Sequence, residues 1–339
     1  MKPVEALNRL TEIGFGYCVS RTLVTGCELG VFDQLGKGPA TIEELSGRLG
    51  IQPQVCRRLL MALRQLGLVE RDGDPFGNSE LGSFCTSQSP LGALARGADP
   101  FYHMFEFLTD AAREMSPRWQ QALGASSADV FGALYADPDR LRSFAALMNS
   151  LSIPQGQVIA ERFDFTPYRC VMDVAGGPGA IAVEIGRRYP HLWGIIMDMP
   201  PVCQVAEEHI QANGLSGRFT TAPADLFAGP YPSGADVLVL GYILHDWSDE
   251  NCRKILRNCF QALPAGGALL VCERAFHNDF SPPTTHAAML DMAMLVVCES
   301  GARERTENEY RALLEVAGFG NVELMRLEAP RDLIIARKA

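Results

Sequence analysis

No stretch of the chain approaches the roughly 18 uninterrupted apolar residues that a membrane-crossing helix needs, so no membrane partner is expected. Its ten cysteines are scattered, and no two form a C-x-x-C pair. That excludes a zinc-ribbon site and a disulfide framework, and leaves reduced, buried thiols as the expectation. Positive charge is short: 30 Lys and Arg stand against 40 Asp and Glu, a formal net charge of −10. Such a balance argues against a nucleic-acid partner. Met1-Lys-Pro-Val-Glu5 has none of the apolar core of a signal peptide, so a cytoplasmic protein is expected. What is there is a globular composition, 47% hydrophobic and 21% charged, over 339 residues, a length that suggests two domains.

The chain is organised around Val171-Met-Asp-Val-Ala-Gly-Gly-Pro-Gly-Ala-Ile-Ala-Val-Glu-Ile-Gly186. Arg169 to Val174 reads as a buried strand, Ala175 to Gly179 as a break, and Ala180 to Arg188 has the apolar spacing of a helix. Strand, glycine turn and helix together bring a ligand against bare backbone at a helix N-terminus. A second apolar run, Trp193 to Met197, ends in Asp198, and an acid at a strand tip can accept hydrogen bonds from both hydroxyls of a ribose. Gly177-Pro-Gly179-Ala-Ile-Ala182 also fits the dinucleotide pattern G-x-G-x-x-[GA], so a nicotinamide dehydrogenase is one reading. Asp173 leans the other way, because a carboxylate at the mouth of the loop repels a pyrophosphate and suits a cationic amino group. A ligand that carries both a ribose and an ammonium group is S-adenosylmethionine, expected here at Asp173, Gly176, Gly177, Gly179 and Asp198.

The first hundred residues read as small and helical. Leu23 to Leu35 has helical apolar spacing, Thr41-Ile-Glu-Glu44 has the form of a capping box, and Gln54 to Leu66 places Val55, Leu59, Leu60 and Leu63 on one face. Gly67 to Gly73 then suggests a β-ribbon wing. Helices and a wing make a winged-helix unit, a fold often used on DNA. Residues 1–90, however, hold nine Lys or Arg against ten Asp or Glu, which leaves no phosphate-tracking surface. A scaffold or dimerisation role is the better reading. Further helices follow to the Asp164-Phe-Thr-Pro-Tyr168 turn. Their Phe and Met stripes, among them Phe101, Phe105, Phe144 and Met148, are core by default, but they directly precede the ligand domain and so are candidates for a substrate pocket.

From residue 169 strands and helices alternate, as a doubly wound sheet requires. Arg218 to Thr221 reads as the third strand, followed by Asp225 and Leu226, an acid and an apolar group suited to an adenine amino group and face. Ala235 to Tyr242 is the fourth strand and leads into Leu244-His-Asp-Trp247, which puts His245 at a carboxyl end where ligands of open sheets sit. A fifth strand, Ala268 to Cys272, ends in Glu273, and Val322–Leu327 with Leu333–Ala336 closes the sheet as an antiparallel hairpin. His245 is a candidate base, and no ligand spacing around it or around His277 and His286 supports a metal. A bland reading stands beside this one: a buried histidine satisfied by backbone, with Glu273 paired to Arg274 and Glu304 paired to Arg303 or Arg305.

Five motifs in order carry a resemblance: Asp173-Val-Ala-Gly-Gly-Pro-Gly179, Asp198-Met-Pro200, Leu244-His-Asp-Trp-Ser-Asp249, Leu263-Pro-Ala-Gly-Gly267 and Gly301-Ala-Arg-Glu-Arg-Thr306. Over essentially its full length the chain resembles the S-adenosylmethionine-dependent O-methyltransferases of the caffeic acid and acetylserotonin type, with their bacterial natural-product branch. The resemblance implies an α/β, Rossmann-like doubly wound sheet with a terminal antiparallel hairpin, preceded by a mostly α winged-helix dimerisation domain. It divides the chain into a dimerisation domain at 1–95, a helical linker and substrate lid at 96–168, and a cofactor domain at 169–339. It further implies a homodimer, His245 as general base with Glu273 and Glu304 flanking it, Asp198 on the ribose, Asp225 and Leu226 on the adenine, and Asp246, Phe144 and Met148 toward an aromatic small-molecule substrate. Departures are Ala175 for the first loop glycine, and Gly241 and Tyr242 where relatives carry a cation toward the cofactor; Tyr135 or Ser152 is the expected contact from the preceding helices. C-methylation of an activated aromatic carbon and a non-catalytic ligand sensor of the same fold remain as alternatives.

Overall fold

The computed structural model describes residues 1–89, 91–96, 99–124 and 130–339; the side chains of Asp99, Pro100, Phe101 and Leu123 lie outside the described set, and with them the expectation for Phe101. The chain forms two compact units, Met1–Pro100 and Phe101–Ala339. No helix among the described residues is long and apolar enough to cross a membrane.

In the first unit, helices α1 (Pro3–Gly14), α2 (Gly16–Glu28), α3 (Val31–Gly36), α4 (Ile42–Leu49) and α5 (Pro53–Gln65) precede the strands β1 (Val69–Arg71) and β2 (Phe76–Asn78). The apolar run Leu23–Leu35 is two helices rather than one, because the chain turns at Gly30 with φ 77°. Thr41 caps α4 as its sequence suggests: its side chain accepts from the Glu44 amide at 3.3 Å, and Glu44 accepts from the Thr41 amide at 2.9 Å. On α5 the buried face is Cys56, Leu60 and Leu63, with Val55 exposed. The i, i+4, i+7 spacing explains the correction, since Val55 stands about 100° round the helix from Cys56. β1 and β2 pair antiparallel as the expected wing, and Phe32, Leu45, Leu60, Leu63 and Phe76 fill the core beneath it.

The second unit is built on β3 (Cys170–Val174), β4 (Trp193–Asp198), β5 (Phe219–Pro223), β6 (Val237–Gly241), β7 (Ala268–Glu273), β8 (Gly320–Met325) and β9 (Asp332–Arg337). Their order is β5-β4-β3-β6-β7-β9-β8, parallel from β5 to β7, with β9 running antiparallel to both its neighbours, β7 and β8. The chain works outward from β3 to β5 and then returns to the other side of β3 as β6. That reversal between β3 and β6 is the switch point where an open sheet leaves a crevice at its carboxyl edge. β3, β6 and β7 are near-continuous apolar runs because helices cover both faces. The covering helices include α6 (Pro138–Arg162), α7 (Ala180–Arg188), α8 (Pro200–Ala212), α9 (Asp249–Ala262) and α11 (Glu307–Val316), whereas α10 (Thr285–Val297) packs in a separate core with Met104, Ala111 and Trp119. The helical stripe around Phe144 thus belongs to a single 25-residue helix, α6, that runs through Pro154 and packs against α7.

Candidate active site

The loop after β3 bends through three left-handed residues: Ala175 (φ 52°), Gly177 (φ 57°) and Gly179 (φ 77°), the last of which caps α7. Only a residue without Cβ fits at Gly179, where such an atom would stand 1.9 Å from Ile196 Cδ1. Gly176 lies over the Asp173 carboxyl, which a Cβ there would meet at 2.5 Å. Asp173 is 2% exposed, and its Oδ2 accepts from the Ala182 amide at 3.3 Å. Burial pushes its pKa up to about 7. Asp198 closes the loop from the tip of β4: Oδ2 accepts from the Gly177 amide at 2.8 Å and Oδ1 from the Met199 amide at 2.7 Å. Burial lifts Asp198 to about 6 despite those two bonds. Asp225, beyond β5, is exposed and accepts from the Phe227 amide at 2.8 Å, with Leu226 half-buried beside it. Among the described residues Asp173 has one weak amide donor and no cation beside it, a site that a positively charged ligand would relieve. The residues therefore fit S-adenosylmethionine: Asp173 for its charge, Asp198 for a ribose, bare loop amides between them.

β6 ends at Gly241, and Tyr242 turns the chain with φ 62°, a strained value for a bulky residue. One 3₁₀ turn follows, Leu244–Asp246, which carries a buried His245. Its Nδ1 is 2.9 Å from Glu304 Oε1 and 3.7 Å from Glu273 Oε2, and its Nε2 is 3.5 Å from Asp246 Oδ1. The two flanking acids differ in what they do. Glu304 meets the ring. Glu273, at the tip of β7, instead accepts through Oε1 from the amides of Ile243 (3.0 Å), Leu244 (2.7 Å) and His245 (3.3 Å), and so fixes the turn that carries the ring. Arg305 grips the same segment from its carbonyl side, donating to Leu244 O and Trp247 O at 2.7 Å each and to Asp249 at 2.9 Å. A three-residue turn has little stability of its own. Here one carboxylate oxygen takes its amides and one guanidinium takes its carbonyls.

Burial pushes the imidazole pKa down, but Glu273, Asp246 and Glu304 outweigh it and lift His245 to about 9. Burial also opposes charge on Glu304, yet His245 and Arg331 hold its pKa below the usual range, while burial raises Glu273. Asp246 accepts from the Cys298 thiol at 3.2 Å, and burial raises its pKa.

The plain ion pairs of the bland reading do not form for these glutamates. Arg274 pairs with Asp332, while Arg303 and Arg305 pair with Asp249. Glu304 pairs instead with Arg331, at 3.0 Å, from the turn between β8 and β9. Sequence pattern distinguishes neither Arg305 nor Arg331 as a site residue: Arg305 lies inside the Gly301–Thr306 motif without a mark of its own, and nothing in the hairpin pattern singles out Arg331. His277 and His286 are both exposed. Phe144 is half-buried on α6 and joins a chain of rings, 6.4 Å from both Phe131 and Tyr135, with Phe131 5.7 Å from Trp247. Met148 is half-buried one turn further along, whereas Phe105 packs against the Met104, Trp119 and Met294 core.

Comparison with known proteins shows the family. Residues 105–320 match the model of an O-methyltransferase domain, and residues 11–88 that of an O-methyltransferase dimerisation domain. A 3-hydroxy-5-methyl-1-naphthoate 3-O-methyltransferase from Streptomyces sahachiroi is 35% identical over 95% of this chain and 92% of its own. An acetylserotonin O-methyltransferase from Gallus gallus is 34% identical over 95% of each. The crystal structure of human N-acetylserotonin methyltransferase in complex with SAM superposes over 100% of both chains with a TM-score of 0.92 at 28% identity.

Proposed function

The chain belongs to the S-adenosylmethionine-dependent O-methyltransferases, and on that premise we propose that it methylates a hydroxyl of an aromatic small molecule, with His245 as general base. The observation that carries this reading is the orientation of the imidazole: Nδ1 is engaged by Glu304 at 2.9 Å, which leaves Nε2 as the atom that can receive a proton at the carboxyl edge of the sheet. When bound, S-adenosylmethionine supplies a methyl group that is already a strong electrophile, so the protein must align the acceptor and remove one proton. A phenol with a pKa of about 10 yields little phenolate at neutral pH, and a hydrogen-bonded imidazole is a suitable acceptor for its proton. The acceptor oxygen gains the methyl as its proton passes to His245 Nε2. The imidazolium so formed is stabilised by Glu304 and Asp246.

Asp173, Asp198, Asp225, Leu226 and the amides of Gly176, Gly177 and Gly179 hold the cofactor in this reading. Asp246 beside Nε2 orients the acceptor hydroxyl, and Phe144 with Met148 forms an apolar wall for a flat ring. The first unit makes a homodimer. Supporting this, α1 buries none of its residues and leaves Val4, Leu7, Leu10 and Ile13 exposed.

The test is methyl transfer from labelled S-adenosylmethionine to a panel of phenolic acceptors. Transfer to oxygen is expected, with His245→Ala slower by about 10²–10⁴-fold while cofactor binding persists. Transfer to carbon would replace the O-methyl assignment, and an active His245→Ala would remove the base.

A further inference from the structure

The C-terminal hairpin delivers a guanidinium behind the catalytic turn. Arg331 is 4% exposed, and its Nη1 donates to Glu304 Oε1 at 3.0 Å, the same oxygen that meets His245 Nδ1. Its guanidinium carbon lies 4.7 Å from the centroid of the Tyr242 ring, and Tyr242 is the strained residue that starts the turn. The Tyr242 hydroxyl in turn donates to Leu151 O on α6 at 3.3 Å. The main chain of Arg331 is clamped to α6 from both sides: its amide donates to Gln155 Oε1 at 2.8 Å, and Gln155 Nε2 donates to its carbonyl at 3.3 Å. Arginine is expensive to bury, and among the described residues the Arg331 Nε has no hydrogen-bond partner. A buried, incompletely satisfied cation with its backbone locked in place points to a use other than stability.

That use follows from the charges around the ring. Asp246 faces the imidazole from its own turn, Glu273 from β7, and Glu304 from the segment after α10. Behind Glu304 stand Asp291 of α10, whose carboxylate accepts the Glu304 amide at 2.8 Å, and the buried hydroxyl of Tyr310 on α11. Arg331 brings the positive charge of that set. Without it, three carboxyls would compete for one imidazole in a dry site, and a proton would be shared among them.

We propose that Arg331 is a positioning residue for methyl transfer: its charge keeps Glu304 ionised and aimed at His245 Nδ1, which leaves Nε2 free for the acceptor's proton, and its flat face braces Tyr242 at the start of the turn. The proposal rests on the reading of His245 as base. The experiment compares Arg331→Met, Arg331→Gln and Arg331→Lys with the native enzyme and with His245→Ala, following kcat, KM for cofactor and acceptor, and the acid limb of the pH profile. The neutral variants are expected to lose kcat roughly tenfold or more at pH 7, with each KM within about threefold, and their acid limb moves to higher pH because a positive charge near the imidazolium is gone. Arg331→Lys returns the limb to its native position and recovers part of the rate. Folded neutral variants with a native limb and native kcat overturn the proposal, as does a loss seen only as weaker cofactor binding. If one neutral variant does not fold, the other and Arg331→Lys carry the same comparison. An active His245→Ala would instead mark the failure of the base reading itself.

Discussion

Asp173 pits stability against binding within one side chain. Its folded pKa of about 7 exceeds the ordinary 3.8, so the folded protein prefers the neutral carboxyl. The stabilising contribution of that proton is therefore complete below about pH 4 and lost as pH rises through about 7. Asp173→Asn keeps the shape and removes the cost. Its melting temperature without cofactor is expected to exceed the native value by a few degrees, on the order of 5 °C, at pH 8 and to match it near pH 4. The same variant should lose most of the thermal stabilisation that added S-adenosylmethionine gives the native protein, since a cationic ligand loses its counter-charge. A variant stabilised by cofactor as strongly as the native chain would show that Asp173 is not the contact. His245 is raised as well, and its shift bears on rate. Its imidazolium, held up to about pH 9 in the free protein, cannot accept a proton, so kcat/KM should rise with pH toward that value. The cofactor's positive charge should draw the corresponding limb of kcat to lower pH. A flat pH–rate profile from pH 6 to 9 would contradict a titrating base.

The glycine loop and the catalytic turn show which parts of the site are written locally. Strand, glycine break and helix spacing placed Asp173, Asp198, His245 and Glu273 at consecutive strand tips, and because parallel strands present all their carboxyl ends on one edge, pattern alone brought these residues together. The loop glycines are legible too, and the structure separates them. Gly177 needs only its left-handed φ, with nothing within 4 Å of a would-be Cβ, whereas Gly179 needs the angle and also the space that Ile196 occupies. Gly177→Ala should cost about 1–2 kcal/mol in urea unfolding, and Gly179→Ala at least about 1 kcal/mol more, with α7 displaced and cofactor affinity lost. Equal costs would mean that Ile196 yields freely. What pattern did not reveal are the arginines. Arg305 reaches back 61 residues to Leu244, and Arg331 reaches 27 to Glu304, both from irregular segments where no period marks one face as inward. The division of labour between Glu273 and Glu304 was equally hidden. It depends on which carboxylate lies under the amides of the turn, and spacing carries no information about that.

For the molecule as a whole, the two halves differ in how their apolar surface is covered. The sheet unit buries its strands between helices, so its interior is complete within one chain. The first unit has a core of its own around Phe32 and Leu60, yet α1 adds nothing to it. Leu7 is 64% exposed and Leu10 68%, one helical turn apart, and Phe15 continues the apolar surface at 58%. A twelve-residue helix is marginal in water without a packed face. Neither does a soluble chain gain by leaving such a stripe wet. In the proposed homodimer a second copy supplies the cover; the matched dimerisation segment begins at residue 11, within the last turn of α1. Two charges on the stripe should then cost an interface rather than a core. Leu7→Glu with Leu10→Glu is expected to fold, to bind S-adenosylmethionine through the sheet unit with native affinity, and to elute by light scattering at 37.0 kDa rather than at twice that mass. Amide exchange over residues 3–14 should become fast in the variant and stay slow in the native protein, because the helix has lost what held it. A double variant that remains a dimer with slow exchange in α1 would place the interface elsewhere and leave the stripe packed against something other than its own copy.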